Sequence, residues 1–266
     1  MKKLISDRML KFLLVLPLAV ILYSCESNDT STNSVYIPQP VNKKVLVEFY
    51  TNAGCAPCVA AHSYLDQIKE NVGATINDTS VIILSYHTKY PYILDSLYRA
   101  NIVQNQARAD YYGVNTTPQG RLNGSNMDQF SSTTWGALIN AEFNTMRYLD
   151  IVLSTTYDDL LDSGTVTANI TLLNALPTSN TVIHMVITED DVEYVTAPNG
   201  VTNPDDVMRL MITGQNGEAI SVGQNTVTKS FGSAPKWVPQ NLHIIVFIQD
   251  ADTKQVYGVE RVKVIK

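Results

Sequence analysis

The spacing of hydrophobic positions changes part-way along the chain. Between Lys44 and about Leu149, short apolar runs alternate with stretches of helical period. The run "VLVEFY" (Val45–Tyr50) predicts a buried strand. "APCVAAHSYLDQIKENVG" predicts a helix, because Val59, His62, Leu65, Ile68 and Val72 recur at helical spacing and Gly73 supplies a stop. "SVIILSY" (Ser80–Tyr86) reads as a second strand, and "YILDSLYRANIVQNQARADYYGV" is helical in composition. An extended piece, "NTTPQGRLNG", ends on an Asn-Gly turn signal at Asn123–Gly124. "SSTTWGALINAEFNTMRYL" is an amphipathic helix with Ser and Thr available as caps. Strand, helix, strand, helix, strand, turn, helix is an α/β pattern opened by a right-handed crossover.

From Asp150 onward helical periodicity disappears. "TVTANITL" (Thr165–Leu172) alternates, with Val166, Ala168, Ile170 and Leu172 on one face and threonines with Asn169 on the other. "TVIHMVIT", "VMRLMIT", "NTVTKSF", "NLHIIVFIQD" and "VYGVERVKVI" are further strands separated by Gly, Pro, Asn and Asp. Short strands at this spacing predict an antiparallel, immunoglobulin-like sandwich. The expected plan is therefore an α/β domain over residues 44–149, followed by an all-β sandwich domain over 150–266, joined near Tyr148–Ile151.

The segment before Lys44 follows neither pattern. Lys2, Lys3, Arg8 and Lys11 precede an apolar run from Phe12 to Tyr23. That run is shorter than the roughly 20 residues a membrane span needs, so it reads as a secretory signal over residues 1–24. Its end, "LYSC", resembles the lipobox of bacterial lipoproteins, which implies cleavage before Cys25 and lipid on that cysteine. A plain secretion signal would instead leave a lone thiol exposed in an oxidising compartment. Residues 25–43, polar and carrying Pro38 and Pro40, read as a flexible tether. The chain of 266 residues carries a formal charge of −6, and removing residues 1–24 leaves 15 basic against 24 acidic residues, or −9. Such a balance excludes a general nucleic-acid binder, and it leaves membrane attachment to the acyl chains on Cys25.

Cysteine usage sharpens the chemistry. The chain has three cysteines, so lipid on Cys25 leaves Cys55 and Cys58 with only each other. A thiol at a helix N-terminus sits among unpaired N–H groups that favour its thiolate, the attacking species in disulfide exchange. Pro57 suits the first turn, where its missing N–H costs nothing. On this reading Cys55 attacks and Cys58 resolves the mixed disulfide. Two alternatives stay open. One is a closed structural disulfide; the other is a zinc site drawing on Cys55, Cys58, His62 and His87, whose spacing follows no familiar finger pattern.

Two stretches, "VLVEFYTNAGCAPC" and "YYGVNTTPQGRLNG", resemble the thioredoxin superfamily. The resemblance implies a thioredoxin-like fold for the first half, with Pro118 as a cis-proline facing the cysteine pair and Thr117 presenting backbone to substrate. It also implies that Glu48 is a buried acid relaying a proton beneath the cysteines. The chain departs from the family by having Glu for Asp, one extra residue before Cys55, Gly54 in place of an aromatic, and an added segment around Lys89–Ala109.

In the second half His184 and His243 lie within strands, Trp237 reads as a loop anchor, and Asp190–Asp191 and Asp205–Asp206 read as solvated turns without calcium-loop spacing. The ensemble is similar to the Omp-twenty-eight-related outer-membrane lipoproteins of Gram-negative bacteria, which implies an outer-membrane location. The expected function is a lipid-anchored extracytoplasmic thiol–disulfide oxidoreductase acting on a protein dithiol or disulfide. No cofactor, metal or nucleic acid is expected, and oligomeric state is unspecified. The rival is a non-catalytic surface adhesion or interaction lipoprotein on a thioredoxin-like scaffold.

Overall fold

Strand β1 (Val45–Thr51) is buried along its whole length because it lies inside a sheet with cores on both faces. The computed structural model describes residues 43–71, 76–221 and 226–264, so the expected signal, Cys25 and nearly all of the tether lie outside the described residues. β1 pairs in parallel with β2 (Val81–His87), from Val45 opposite Val81 to Thr51 opposite His87. It pairs antiparallel with β3 (Gln119–Leu122) on its other side. Helix α1 (Cys58–Glu70) makes the crossover, burying Cys58, Ala61, His62, Leu65 and Ile68. Val59, expected on that stripe, is 40% exposed on the first turn.

The helical stretch after Tyr92 divides into α2 (Ser96–Ala100) and α3 (Ile102–Tyr111). Asn101 causes the break, since its side chain accepts the Gln104 N–H and starts a new helix there. Asn123 and Gly124 then turn with φ of 45° and 90° into β4 (Ser125–Asn126). A Cβ at Gly124 would lie 1.9 Å from the Lys254 carbonyl oxygen, so close approach as well as φ requires glycine. Helix α4 (Ser132–Glu142) is capped by Ser131, whose hydroxyl accepts the Thr134 N–H.

The rest is strand: β5 (Leu149–Asp158), β6 (Ser163–Leu172), β7 (Thr181–Glu189), β8 (Val207–Met211), β9 (Glu218–Ile220), β10 (Thr226–Gly232), β11 (Leu242–Asp250) and β12 (Val256–Lys263). These do not form a sandwich closed on itself. One nine-stranded mixed sheet runs β12-β11-β7-β8-β2-β1-β3-β4, with β9 on the remainder of the β7 edge. Residues from both halves of the chain therefore share it, joined where Ser85 of β2 meets Val207 of β8 in parallel. Among the described residues β10-β6-β5 form a second sheet.

This overturns the expected fold class. Among the described residues strand outweighs helix, and the helices serve one sheet common to both halves, rather than a thioredoxin-like α/β domain followed by an immunoglobulin-like sandwich. The physical reason is the burial of β7 and β11 on both faces. Ile183, Met185, Ile244 and Val246 pack with Val166 and Phe231 of the small sheet. Val186, Ile245 and Phe247 join Leu46, Ile82, Leu84 and Ala109 in another core. A strand so placed carries apolar residues on both faces, as "IIVFI" (Ile244–Ile248) does, whereas a free-standing sandwich would leave one face wet. On the far side of β1 and β2, Val47, Phe49 and Ile83 pack against Leu65 and Ile68 of α1 and Trp135 and Ile139 of α4.

Within the core common to both halves lies a charged network. Arg108 of α3 donates Nε–H to Glu48 Oε1 at 2.6 Å and an amino N–H to Oε2 at 3.0 Å. It also donates to the side-chain amide oxygen of Gln249 on β11 at 3.0 Å, while the Tyr112 hydroxyl donates to Glu48 at 2.8 Å. Removing one partner would strand a buried charge. Arg108→Met is expected to lower stability by about 3–5 kcal/mol. Adding Glu48→Leu should restore part of the loss, as read by urea denaturation. A loss from Arg108→Met below about 1 kcal/mol, the scale of an exposed ion pair, would contradict a structural role for the network.

Candidate functional site

The cysteine pair follows the end of β1, and residues remote in sequence fix the turn that carries it. The Asn52 carbonyl side-chain oxygen accepts the N–H groups of Gly54 (2.8 Å) and Tyr92 (3.1 Å), and its amide donates to the Thr88 and Tyr92 carbonyls. Asp95, the cap of α2, accepts the Ala53 N–H at 2.7 Å. From the C-terminal half, the Asn199 N–H donates to the Ala53 carbonyl at 2.8 Å, and its side-chain amide lies 3.4 Å from the Asn52 and Cys55 carbonyls. Ala53, Leu97, Val192, Tyr194, Ala197 and Val207 form a small core around this turn. A Cβ at Gly54 would sit 2.3 Å from the Tyr92 Cβ, which explains why no aromatic stands there.

Cys55 and Cys58 are joined in a disulfide. The Cys58 N–H, at the start of α1, donates to Cys55 Sγ at 3.2 Å. Both residues are buried, at 2% and 0% exposure, although Ala56 and Pro57 between them face solvent. The Thr117–Pro118 peptide is cis. Thr117, Pro118, Pro57 and Phe130 border one cavity of about 540 Å³. The structure thus brings the Cys-Ala-Pro-Cys turn and the Thr-Pro segment to a common rim. Glu48 is not there. It lies on the face of β1 opposite α1, engaged by Arg108 and Tyr112, a placement that does not match a proton relay beneath the cysteines.

On the α1 face stand other polar groups instead. His62 Nε2 and the Thr51 hydroxyl are 3.0 Å apart, and His87 Nδ1 lies 2.7 Å from Asp95. With the cysteines bonded to each other, the groups of the zinc alternative are not gathered into a metal-binding cluster among the described residues. Burial, with the neighbouring His87 ring, holds the His62 pKa down to about 3. Burial opposes ionisation of Asp95, yet His87 and the Ala53 and Leu97 N–H groups hold its pKa below the ordinary carboxylate value.

One expectation for the second half changes. Asp205 and Asp206 are not simply solvated: both accept from Lys69 of α1, at 2.7 and 2.9 Å, and Asp206 also pairs with Arg261 at 3.2 Å. His184 is buried and stacked on Phe247 at 4.6 Å, so burial drives its pKa well below the usual histidine value. Sequence reasoning missed Asn52, Asp95, Asn199 and Arg108. Asp95, preceding "SLYRA", carries a readable cap signal, and Asn199 a readable Asn-Gly turn, but nothing in their spacing points to the cysteines.

The family described as outer membrane protein Omp28 matches residues 105–266. The chain belongs to the Omp28 family. The match starts inside α3 and does not reach Cys55 or Cys58, so Omp28 membership speaks for the C-terminal half and for location rather than for the cysteines. It places the protein at the outer membrane, as the resemblance of the whole ensemble implies; no helix among the described residues is long and apolar enough to cross a membrane. HBP35 of Porphyromonas gingivalis shares the fold, with a TM-score of 0.70 and 13% identity, over 84% of this chain and 75% of that one. This shared, mostly-strand fold stands in place of the expected thioredoxin-like one. A domain of the outer membrane lipoprotein Omp28 from Porphyromonas gingivalis aligns with a TM-score of 0.35 and 21% identity, over 45% of this chain and 90% of that one. No curated protein matches the chain in sequence.

The buried, neutral His62 makes this Omp28-family site acid-sensitive. Its folded pKa is lower than the unfolded value, so the unfolded chain takes the proton first, and stability present above pH ~6.5 is lost as pH falls toward 3. At pH 5 the loss from this ring is about 2 kcal/mol. His62→Gln should shrink the difference in urea midpoint between pH 7.5 and pH 5, and an unchanged difference would mean His62 is protonated without cost.

Proposed function

We propose that the protein is a non-catalytic interaction lipoprotein of the outer membrane, tethered through lipid on Cys25, in which Cys55–Cys58 is a structural clasp. The observation that carries this reading is the burial of both cysteines beneath a turn held from two sides, by Asp95 and by Asn199. A sulfur must be reached in line by an attacking thiolate, and burial with a clamped backbone opposes that approach. The acid that exchange would use for proton transfer, Glu48, is committed to Arg108. Omp28 membership, resting on the half without the cysteines, is consistent with a role in which they only support structure.

A second reading, thiol–disulfide exchange with a protein substrate, is favoured by the rim where Pro57 meets Thr117 and Pro118. Reduced Cys55 would attack a substrate disulfide as the thiolate and expel one substrate thiolate. Cys58 would then attack the mixed disulfide, releasing the second and reforming Cys55–Cys58. One titration separates the readings. For a clasp, equilibration against dithiol buffers should give a potential below about −300 mV, with no catalysis of insulin reduction. A potential between about −270 and −120 mV with turnover would make the exchange reading correct.

A further inference from the structure

At the opposite end of β1 from the cysteines, roughly 23 Å away along seven strand residues, a groove of about 910 Å³ opens between the end of α4, the start of β5 and β12. None of the chemistry discussed above uses it. Its charged groups come in opposite pairs. Lys43 donates to Glu142 at 2.9 Å and to the Thr145 hydroxyl, Lys44 to Glu260 at 2.5 Å, and Arg147 to Asp150. Asn123 donates a further amide N–H to Glu142 at 3.0 Å. The walls are apolar where they are not paired, through Tyr148, Met146, Val152 and Pro177.

Tyr148 is the distinctive element. Its ring meets Tyr257 edge-on, with centroids 5.0 Å apart at 68°, and the Tyr257 hydroxyl donates to Asp250 at 3.2 Å behind it. The platform is therefore fixed before any ligand arrives, which removes an ordering cost from binding. Tyr148 is half-buried and lines the groove, and its hydroxyl can both donate and accept.

We infer that this groove binds a neutral oligosaccharide. A lining whose three cations are matched by three anions gives no net pull on a phosphate, a carboxylated ligand or a metal ion. It does offer donors and acceptors side by side, at spacings a polyol matches because each hydroxyl donates and accepts at once. Apolar sugar faces stack on a rigid aromatic ring, and the volume lies at the upper end of that usual for small-molecule sites, room for more than one sugar ring. The inference is independent of what Cys55 and Cys58 do, since no residue of their turn lines the groove.

The test is calorimetric titration of the full-length protein in lauryldimethylamine oxide micelles, a detergent without a sugar head group. The probes are maltotriose, cellotriose, mannotriose and triacetylchitotriose, with trigalacturonic acid as the charged control. At least one neutral trisaccharide should bind with a Kd of about 1 mM or tighter, and trigalacturonic acid at least about tenfold more weakly. Tyr148→Ala should weaken that binding by about tenfold in a protein that stays folded at the titration temperature. If that variant unfolds, Val152→Arg, at a position 65% exposed, should obstruct the groove without loss of fold. No neutral probe binding below about 10 mM, tighter binding of the acid, or undiminished binding in a folded variant would each overturn the assignment.

Discussion

The pairing of Glu48 with Arg108 inside the protein constrains everything around it. Taking two ions out of water costs several kcal/mol each, and only near-complete hydrogen bonding offsets that cost. Here Glu48 receives both donors of one guanidinium edge and the Tyr112 hydroxyl, while Arg108 also reaches Gln249. The guanidinium lies over the rings of Tyr111, Tyr112 and Phe247, at 4.8, 5.0 and 5.4 Å. These partners come from β1, α3 and β11, so the ions are satisfied only when the N-terminal strands, the helix and the C-terminal strands are assembled together. A slipped register would leave at least one charge buried without its partner.

The cysteine turn shows the same dependence at a smaller scale. Asp95 holds it from the N-terminal half and Asn199 from the C-terminal half, with Tyr194 and Val192 packed over Ala53. The disulfide closes a turn whose shape is already set by those contacts. That is why the cysteines read more naturally as a clasp on an assembled protein than as a mobile reactive loop. Loops that must open to a partner generally carry fewer buried contacts than this one does.

Much of the local structure was legible in the residues. The apolar runs at Val45 and Val81, the helix after Pro57, the Asn123–Gly124 turn and the alternating strand around Val166 all stand where the pattern put them. The architecture was not legible, for a specific reason. Strand β6 alternates because one face is wet, but β7 and β11 carry consecutive apolar residues, Met185–Ile187 and Ile244–Ile248, because both faces are covered. The unbroken run "IIVFI" held that message, and reading it as part of another sandwich strand hid the sheet common to both halves. Glu48 was similarly opaque: its partner stands sixty residues on, in a helix, and no spacing rule links the two. The cysteines and the Thr-Pro segment were visible by their types, whereas Asn52, Asp95 and Asn199, which hold the turn, have no signature beyond local turns and caps.

One measurement bears most directly on the claim that the two halves form one cooperative structure. Native-state hydrogen exchange across low urea would follow the amides of β1 and β2 beside those of β7 and β11. If the sheet and the Glu48–Arg108 network unite them, both groups should exchange through one global opening, with the same free energy and the same dependence on urea. If β1 and β2 open at lower free energy and with a smaller urea slope while β7 and β11 stay protected, the halves are independent and the account is wrong.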